Sequence, residues 1–94
     1  MKLLMLVFDA ALEDVVQVRL RQLGLEHWTK LERALGRGSR SQPLLNTHIW
    51  PGYHVVYFIK VDDFAPYRQA FQEMSQEFAH RGFRTFVLPL EEFI

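Results

Sequence analysis

The residues with the clearest chemical potential lie between Glu32 and Asp62, a stretch without a single acidic side chain. It carries Arg33, Arg37, Arg40 and Lys60, together with His48 and His54. Part of it reads Leu35-Gly36-Arg37-Gly38-Ser39-Arg40-Ser41-Gln42-Pro43. Glycines let a backbone turn sharply and present its N–H groups, and guanidinium forks match the oxygens of phosphates and carboxylates. The pattern therefore suits contact with an anion or an acidic partner, or else a solvated hairpin tip. It is not a nucleotide-binding loop of the Walker kind, because the Gly-x4-Gly-Lys-Ser/Thr spacing is missing.

A second element lies at Asn46-Thr47-His48-Ile49-Trp50-Pro51-Gly52. Pro-Gly after Trp makes a turn that carries a large aromatic. Trp50, Pro51 and Gly52 are read as a pocket wall or as a rigid corner. The histidines are His27, His48, His54 and His80, and no pair has the i, i+4 spacing of a helical metal site. His48 and His54 are the weak candidates for a metal, on one face of a strand if its register is unbroken, but no nearby carboxylate completes a ligand set. No Gly-x-Ser-x-Gly element is present, and Ser39, Ser41 and Ser75 have no evident base. The sequence shows no catalytic constellation, so an enzyme is not expected.

Composition narrows the classes further. The chain has 94 residues, 49% hydrophobic and 14% aromatic, enough apolar surface to offset the entropy of ordering one modest core. It is expected to be one domain over residues 1–94. The absence of cysteine removes disulfide scaffolds, thiol enzymes and cysteine zinc sites. Eleven basic and eleven acidic residues leave no net charge, which argues against a general nucleic-acid binder. The apolar run at Leu3–Phe8 is too short for a signal-peptide core or a membrane span. A cytoplasmic protein without membrane insertion is expected.

The elements that must position these residues can be read from hydrophobic spacing. Leu3–Phe8 reads as a buried strand, and Asp9 can cap the next segment. Leu12, Val16, Leu20 and Leu23 recur at helical spacing over Ala10–Leu23, and Gly24-Leu25 is a helix stop. Glu26–Leu35 reads as a second strand and 36–46 as a loop. Thr47–Val61 reads as a third strand, interrupted at Pro51-Gly52, with Val55–Ile59 at its heart. Asp62 or Asp63 caps a second helix whose stripe is Tyr67, Phe71, Met74 and Phe78. Gly82-Phe83 repeats the Gly-apolar stop, and Phe83–Leu90 is a fourth strand, ended near Pro89. This order is that of an α+β, ferredoxin-like βαββαβ fold: a four-stranded antiparallel sheet with two helices on one face.

These strands do not alternate. Leu3 to Phe8, Val55 to Ile59 and Phe86 to Leu88 are apolar on both faces. One face can meet the helices, but the other needs a cover that the chain cannot supply, since soluble monomers seldom expose such a patch. A homo-oligomer packed through the sheet is expected.

The strand order, the loop placement and three short elements together resemble the PII-like signalling proteins. The elements are Trp28-Thr29-Lys30, Gly36-Arg37-Gly38 and Thr47-His48-Ile49-Trp50-Pro51-Gly52, in that order. They are most similar to a small uncharacterised PII-like subgroup with a Trp-Pro-Gly element. The resemblance implies a trimer built through the sheets, with ligand clefts between subunits and a regulatory rather than enzymatic role. It implies that 36–46 is a T-loop contacting a protein target such as a transporter or an enzyme. It implies effector or anion contacts from Arg33, Gly36, Arg37, Gly38, Arg40, Trp50, Pro51, Gly52, Arg81 and Arg84. In place of the Gly-Asp-Gly-Lys phosphate loop of classical PII proteins the chain has His80-Arg81-Gly82-Phe83-Arg84, so whether a nucleotide binds is left open. A divalent-metal-binding relative is the alternative, and a small ferredoxin-like enzyme with a His/Trp pocket a more distant one.

Overall fold

A computed structural model describes residues 1–39 and 41–94. Strand β1 is Lys2–Asp9 and strand β2 is Thr29–Ala34; β3 is His54–Val61 and β4 is Arg84–Pro89. Helix α1 (Glu13–Gln22) joins β1 to β2, and helix α2 (Arg68–Glu77) joins β3 to β4. Each helix is entered through one 3-10 turn, Ala10–Leu12 and Ala65–Tyr67. The strands form one sheet in the order β2-β3-β1-β4, with every neighbouring pair antiparallel. This is the ferredoxin-like arrangement expected from the element order.

Local chemistry accounts for the boundaries. Asp9 Oδ1 accepts the Ala11 N–H at 2.9 Å, satisfying one free donor at the first turn after β1. Asp63 Oδ1 does the same for the Ala65 N–H at 3.1 Å, so of the two aspartates it is Asp63 that caps. Gly24 adopts φ 75° and Gly82 φ 72°, the left-handed conformation that ends a helix at little steric cost. The apolar residue after each glycine folds inward: the Leu25 N–H donates to Leu20 O at 2.8 Å, and the Phe83 N–H to Phe78 O at 3.2 Å. Leu25 and Phe83 are both buried in the core.

Two strand boundaries differ from the sequence reading. β2 begins at Thr29 instead of Glu26, because Trp28 turns aside to stack its ring 4.7 Å from that of Tyr57. β3 begins at His54 instead of Thr47. Pro51 has no N–H to give to a ladder, and Gly52 at φ 91° turns the chain out of the extended conformation. His48 therefore lies in an exposed turn, off the strand that carries His54.

The core lies between the helices and one face of the sheet. Leu4, Leu6 and Phe8 alternate inward from β1, and Val55, Tyr57, Ile59 and Val61 from β3. They pack against Val16 and Leu20 of α1 and Phe71 and Met74 of α2. Tyr67 and Phe78, the outer members of the α2 stripe, are partly buried on the same cluster.

One polar network crosses this interface. Glu13 Oε2 accepts from the Tyr57 hydroxyl and from Lys30 Nζ, both at 2.6 Å, and Gln17 Nε2 donates to Tyr57 Oη at 2.8 Å. Burial and the Glu13 hydrogen bond push the Tyr57 hydroxyl up to about 12. Burial raises the Glu13 carboxyl, but hydrogen bonds from Lys30 and Tyr57 outweigh it and hold the group below its usual 4.5. A carboxyl lowered on folding stabilises the fold above its ordinary pKa and loses that contribution as pH falls. Glu13→Ala leaves the Tyr57 hydroxyl proton without its acceptor and Lys30 with Glu32 as its remaining partner, and is expected to cost about 1–3 kcal/mol in urea unfolding at pH 7. The difference from wild type should shrink as the pH falls below 4.5.

The opposite sheet face is apolar as well. β-pairing places Phe58, Met5 and Phe86 in one row across β3, β1 and β4, and Leu31, Val56 and Val7 in the next across β2, β3 and β1. Leu3 lies beside Leu88 at the far end. Leu31 is 55% exposed, Phe86 44% and Leu88 41%. Two-sided apolarity is thus real and not an effect of misjudged strand register.

Candidate functional site

The chain between β2 and β3 folds back on the end of the sheet. β2 is broken by a register shift between Leu31 and Ala34, where Arg33 takes φ 60°. Gly36 and Leu44 then form an isolated antiparallel bridge, with Gly36 N–H to Leu44 O at 3.0 Å and Leu44 N–H to Gly36 O at 2.8 Å. A second closed turn comes next. The Trp50 carbonyl accepts the Leu45 and Thr47 N–H groups, Gly52 O accepts the Asn46 N–H, and the Trp50 N–H donates to Thr47 Oγ1. Ala10 N–H donates to Tyr53 O at 3.1 Å, tying the end of this segment to the exit of β1.

Beneath the bridge lies a buried polar cluster. His54 is 1% exposed, and the β1–β3 register sets it opposite Asp9. The glycines show how closely the surrounding parts approach. A Cβ on Gly36 would lie 3.5 Å from His54 Nδ1. A Cβ on Gly82 would lie 3.1 Å from Ser41 Oγ, 3.4 Å from His54 Nε2 and 3.5 Å from Arg84 Nη1. A Cβ on Gly38 would lie 3.0 Å from Ser41 Oγ and 3.3 Å from Arg84 Nη1. Ser41, His54 and Arg84 thus converge where Gly36, Gly38 and Gly82 leave room for them.

The electrostatics of the cluster are unusual. Among the described residues, Ser41 Oγ and His54 Nε2 are buried without a hydrogen-bond partner. Arg84 Nη1 donates to Gly82 O at 2.9 Å, and burial lowers the Arg84 pKa. Burial and the Arg84 guanidinium hold the His54 imidazole below its usual 6.5, with Asp9 opposing. Asp9 is itself engaged by Arg81, whose Nη1 lies 3.2 Å from Asp9 Oδ2. Buried donors and a guanidinium without a carboxylate of their own are a setting for an anion.

Next to this cluster is a cavity of about 390 Å³, lined chiefly by Ser41, Leu44, Trp50, Pro51, His80 and Arg81. Ser41 is common to both.

The structure therefore brings together Gly36, Gly38, Trp50, Pro51, Arg81 and Arg84 from the expected set. Gly52 supports them from behind, its Cβ position 3.6 Å from Leu44 Cδ2. Arg33 instead packs its guanidinium 5.6 Å over the Tyr53 ring, and Arg37 is exposed. Arg40 lies outside the described residues. His48 and His54 do not meet as metal ligands: among the described residues no three His, Asp or Glu side chains converge. Sequence reasoning missed the role of Ser41, His54 and Gly82. Gly82 carried a signal as a helix stop, but nothing in its neighbours along the chain says what it approaches.

Serine and histidine in one cluster raise the question of nucleophilic catalysis. Such a pair needs a hydrogen bond from hydroxyl to imidazole and a group that orients the base. Ser41 and His54 make no such bond, and His54 Nδ1 faces the Gly36 backbone.

The fold is matched closely among solved structures. CPII from Thiomonas intermedia K12, a nitrogen regulatory PII-like protein solved with ADP, AMP and bicarbonate, superposes with a TM-score of 0.71. The match covers 92% of this chain and 81% of that one, at 19% identity. The chain has the PII-like fold. The apo form of CPII superposes with a TM-score of 0.63 at 14% identity, covering 92% of this chain and 84% of that one. A chain from Thermus thermophilus, assigned to PII-like signalling, superposes at 0.59 with 21% identity, covering 92% and 82%. No protein-family model and no curated protein matches the sequence. In the PII-like frame the cluster sits at the base of the segment between the second and third strands. Among the described residues no helix is long and apolar enough to cross a membrane.

Proposed function

We propose that this protein is a PII-like regulator without catalytic activity, one domain over residues 1–94, which senses a small anionic effector at the base of its 36–46 loop. The observation that carries the reading is the convergence of Arg84, Ser41 and His54 beneath the loop, beside a cavity walled by Trp50 and Arg81. An effector held there touches Ser41 and Leu44 of the loop and Trp50 and Pro51 beyond it, with Gly36 and Gly38 packed on the adjoining cluster and Gly52 behind Leu44. Its binding energy therefore biases the loop's arrangement, which is the physical content of a signal. Arg37 and Arg40 give the loop its positive charge, with Arg33 adding its own from the end of β2 beside it, and the loop contacts an acidic surface on a target such as a transporter or an enzyme. The protein acts in the cytoplasm as a homotrimer whose subunits bury their apolar sheet faces against one another. The effector clefts then lie between subunits.

Adenine nucleotides and bicarbonate are the natural probes, because the CPII structures hold ADP, AMP and bicarbonate. Trp50 offers a ring face for a base, and Arg81 and Arg84 offer charge for phosphates or a carboxylate. Calorimetry and native mass spectrometry with these three ligands test the reading. A trimer mass with saturable binding of at least one is expected. Arg84→Ala should weaken that binding about 10–100-fold, the worth of one charge-assisted hydrogen bond. Wild-type protein that binds none of the three, or binding indifferent to Arg84, would refute the assignment.

A further inference from the structure

We infer that the Gly36–Leu44 bridge is a proton-gated latch, shut while His54 is neutral and released when His54 takes up a proton. The inference deepens the function proposed above and rests on it for its regulatory meaning, though its geometry stands alone.

His54 is fully buried, and unlike the buried Tyr57 hydroxyl its Nε2 has no hydrogen-bond partner among the described residues; Gly36 and Gly82 cover the ring. Gly36 lies over Nδ1 and Gly82 over Nε2, with the Ser41 hydroxyl against the same Gly82. The Gly36–Leu44 bridge that closes this cover consists of two backbone hydrogen bonds. Neutral imidazole is tolerable there. Imidazolium is a donor at both nitrogens, and Nε2 has no acceptor among the described residues.

The charges around the ring decide the sign. From β4 the Arg84 guanidinium faces it and opposes protonation. From β1 Asp9 favours protonation, but Asp9 is shared with Arg81 and the Ala11 N–H. Of the covering segment, Gly36 and Ser41 reach the cluster and carry no charge, while Arg37 is exposed and Arg40 lies outside the described residues; the α2–β4 junction brings the Gly82 backbone. Burial and Arg84 thus outweigh Asp9 in the closed form. Water supplies the missing acceptor once the bridge opens, so the open form titrates near the ordinary 6.5. The closed form is favoured fully above that pH and loses ground below it. The opening equilibrium rises by up to about tenfold per pH unit until the closed-form pKa is passed. A proton and an effector then act on the same loop from the same cluster.

Hydrogen exchange tests this on the full-length protein without ligand. The Gly36 and Leu44 amides form the bridge, so their protection factors, each corrected for intrinsic exchange at its pH, report opening. Protection is expected to fall between pH 7 and pH 5, while amides in the centre of the β1–β3 ladder hold theirs. His54→Gln should remove the pH dependence. Should that variant fail to fold, the ring resonances of His54 in the wild-type protein give the same answer through their titration. A His54 pKa at or above 6.5 in the native state, or bridge protection that does not change with pH, overturns the latch. Loss of the latch with ADP, AMP or bicarbonate still binding leaves the regulatory reading intact. A titrating latch with no ligand bound keeps the device and removes that reading.

Discussion

Met5→Glu is expected to turn the protein into monomers. Met5 sits mid-row on the outer sheet face, with Phe58 on one side and Phe86 on the other. In the proposed trimer that face packs against its copies, and a carboxylate placed there loses its water without gaining a partner. Removing an unpaired charge from water costs several kcal/mol, more than a single interface residue can return. In an isolated protomer the same side chain meets solvent, so the fold itself should survive. Light scattering after size exclusion is the measurement. Wild type is expected at about three times the 11.1 kDa protomer mass, and Met5→Glu at one protomer mass. Val18→Glu is the control: Val18 is 42% exposed on helix α1, away from the sheet face, and its replacement should leave the mass unchanged. A Met5→Glu protein that keeps the wild-type mass would show that something other than this face holds the subunits, or that none is needed.

A pair of glycines isolates the energy stored in the cluster beneath the loop. Gly24 and Gly82 end successive helices with nearly the same backbone, φ 75° and φ 72°. A Cβ on Gly24 meets nothing within 4 Å, whereas one on Gly82 meets Ser41, His54 and Arg84. Gly24→Ala should therefore cost only the left-handed backbone, roughly 1–2 kcal/mol. Gly82→Ala carries the same cost and adds one tight contact, 3.1 Å to the Ser41 hydroxyl, beside ordinary contacts with His54 and Arg84, which is expected to cost about 1 kcal/mol more. In a chain of this size each kcal/mol lowers Tm by about 4–8 °C. Gly82→Ala should thus melt at least several degrees below Gly24→Ala at equal protein concentration, which is held fixed because the proposed assembly would add to stability. It should also weaken binding of any ligand that uses Arg84, while Gly24→Ala should not. Equal melting points for the two variants would mean that the loop does not press on Gly82, and the close-packed cluster would have to be abandoned.

The element order was legible because its signals are local. Hydrophobic spacing over ten residues marks a helix whatever the rest of the chain does, and Gly24-Leu25 and Gly82-Phe83 announce their stops in two residues. Apolar residues on both faces of the strands were equally plain, since each strand's parity is visible in its own six to eight residues. The beginnings of β2 and β3 were less so. Trp28 leaves the sheet for a ring that lies 29 positions along the chain, and Pro51-Gly52 reads as an interruption of a strand as easily as its boundary.

Glycine and arginine content marked the neighbourhood of the site without showing how it closes. Gly36, Gly38, Trp50 and Pro51 stand in two adjacent segments, and their likeness to a known pattern brought them forward. Arg33 and Arg37 belong to the same basic run, yet one packs on Tyr53 and the other stays in solvent. Charge along a sequence records which residues are near in chain, not which way a bulge at φ 60° turns them.

By itself, then, the sequence determined a ferredoxin-like fold, its helix stops, its two-faced sheet and the basic loop between β2 and β3. Each of these depends on spacing within a single element. Only the tertiary structure decided that Ser41, His54 and Arg84 meet, that Arg81 reaches Asp9 from 72 positions away, and that Gly38 and Gly82 stand where a Cβ would press on the Ser41 hydroxyl. The reason is that β1 lies between β3 and β4 in the sheet. That order carries the start of β3, the end of β1 and the start of β4 to one edge, and the returning loop closes over it.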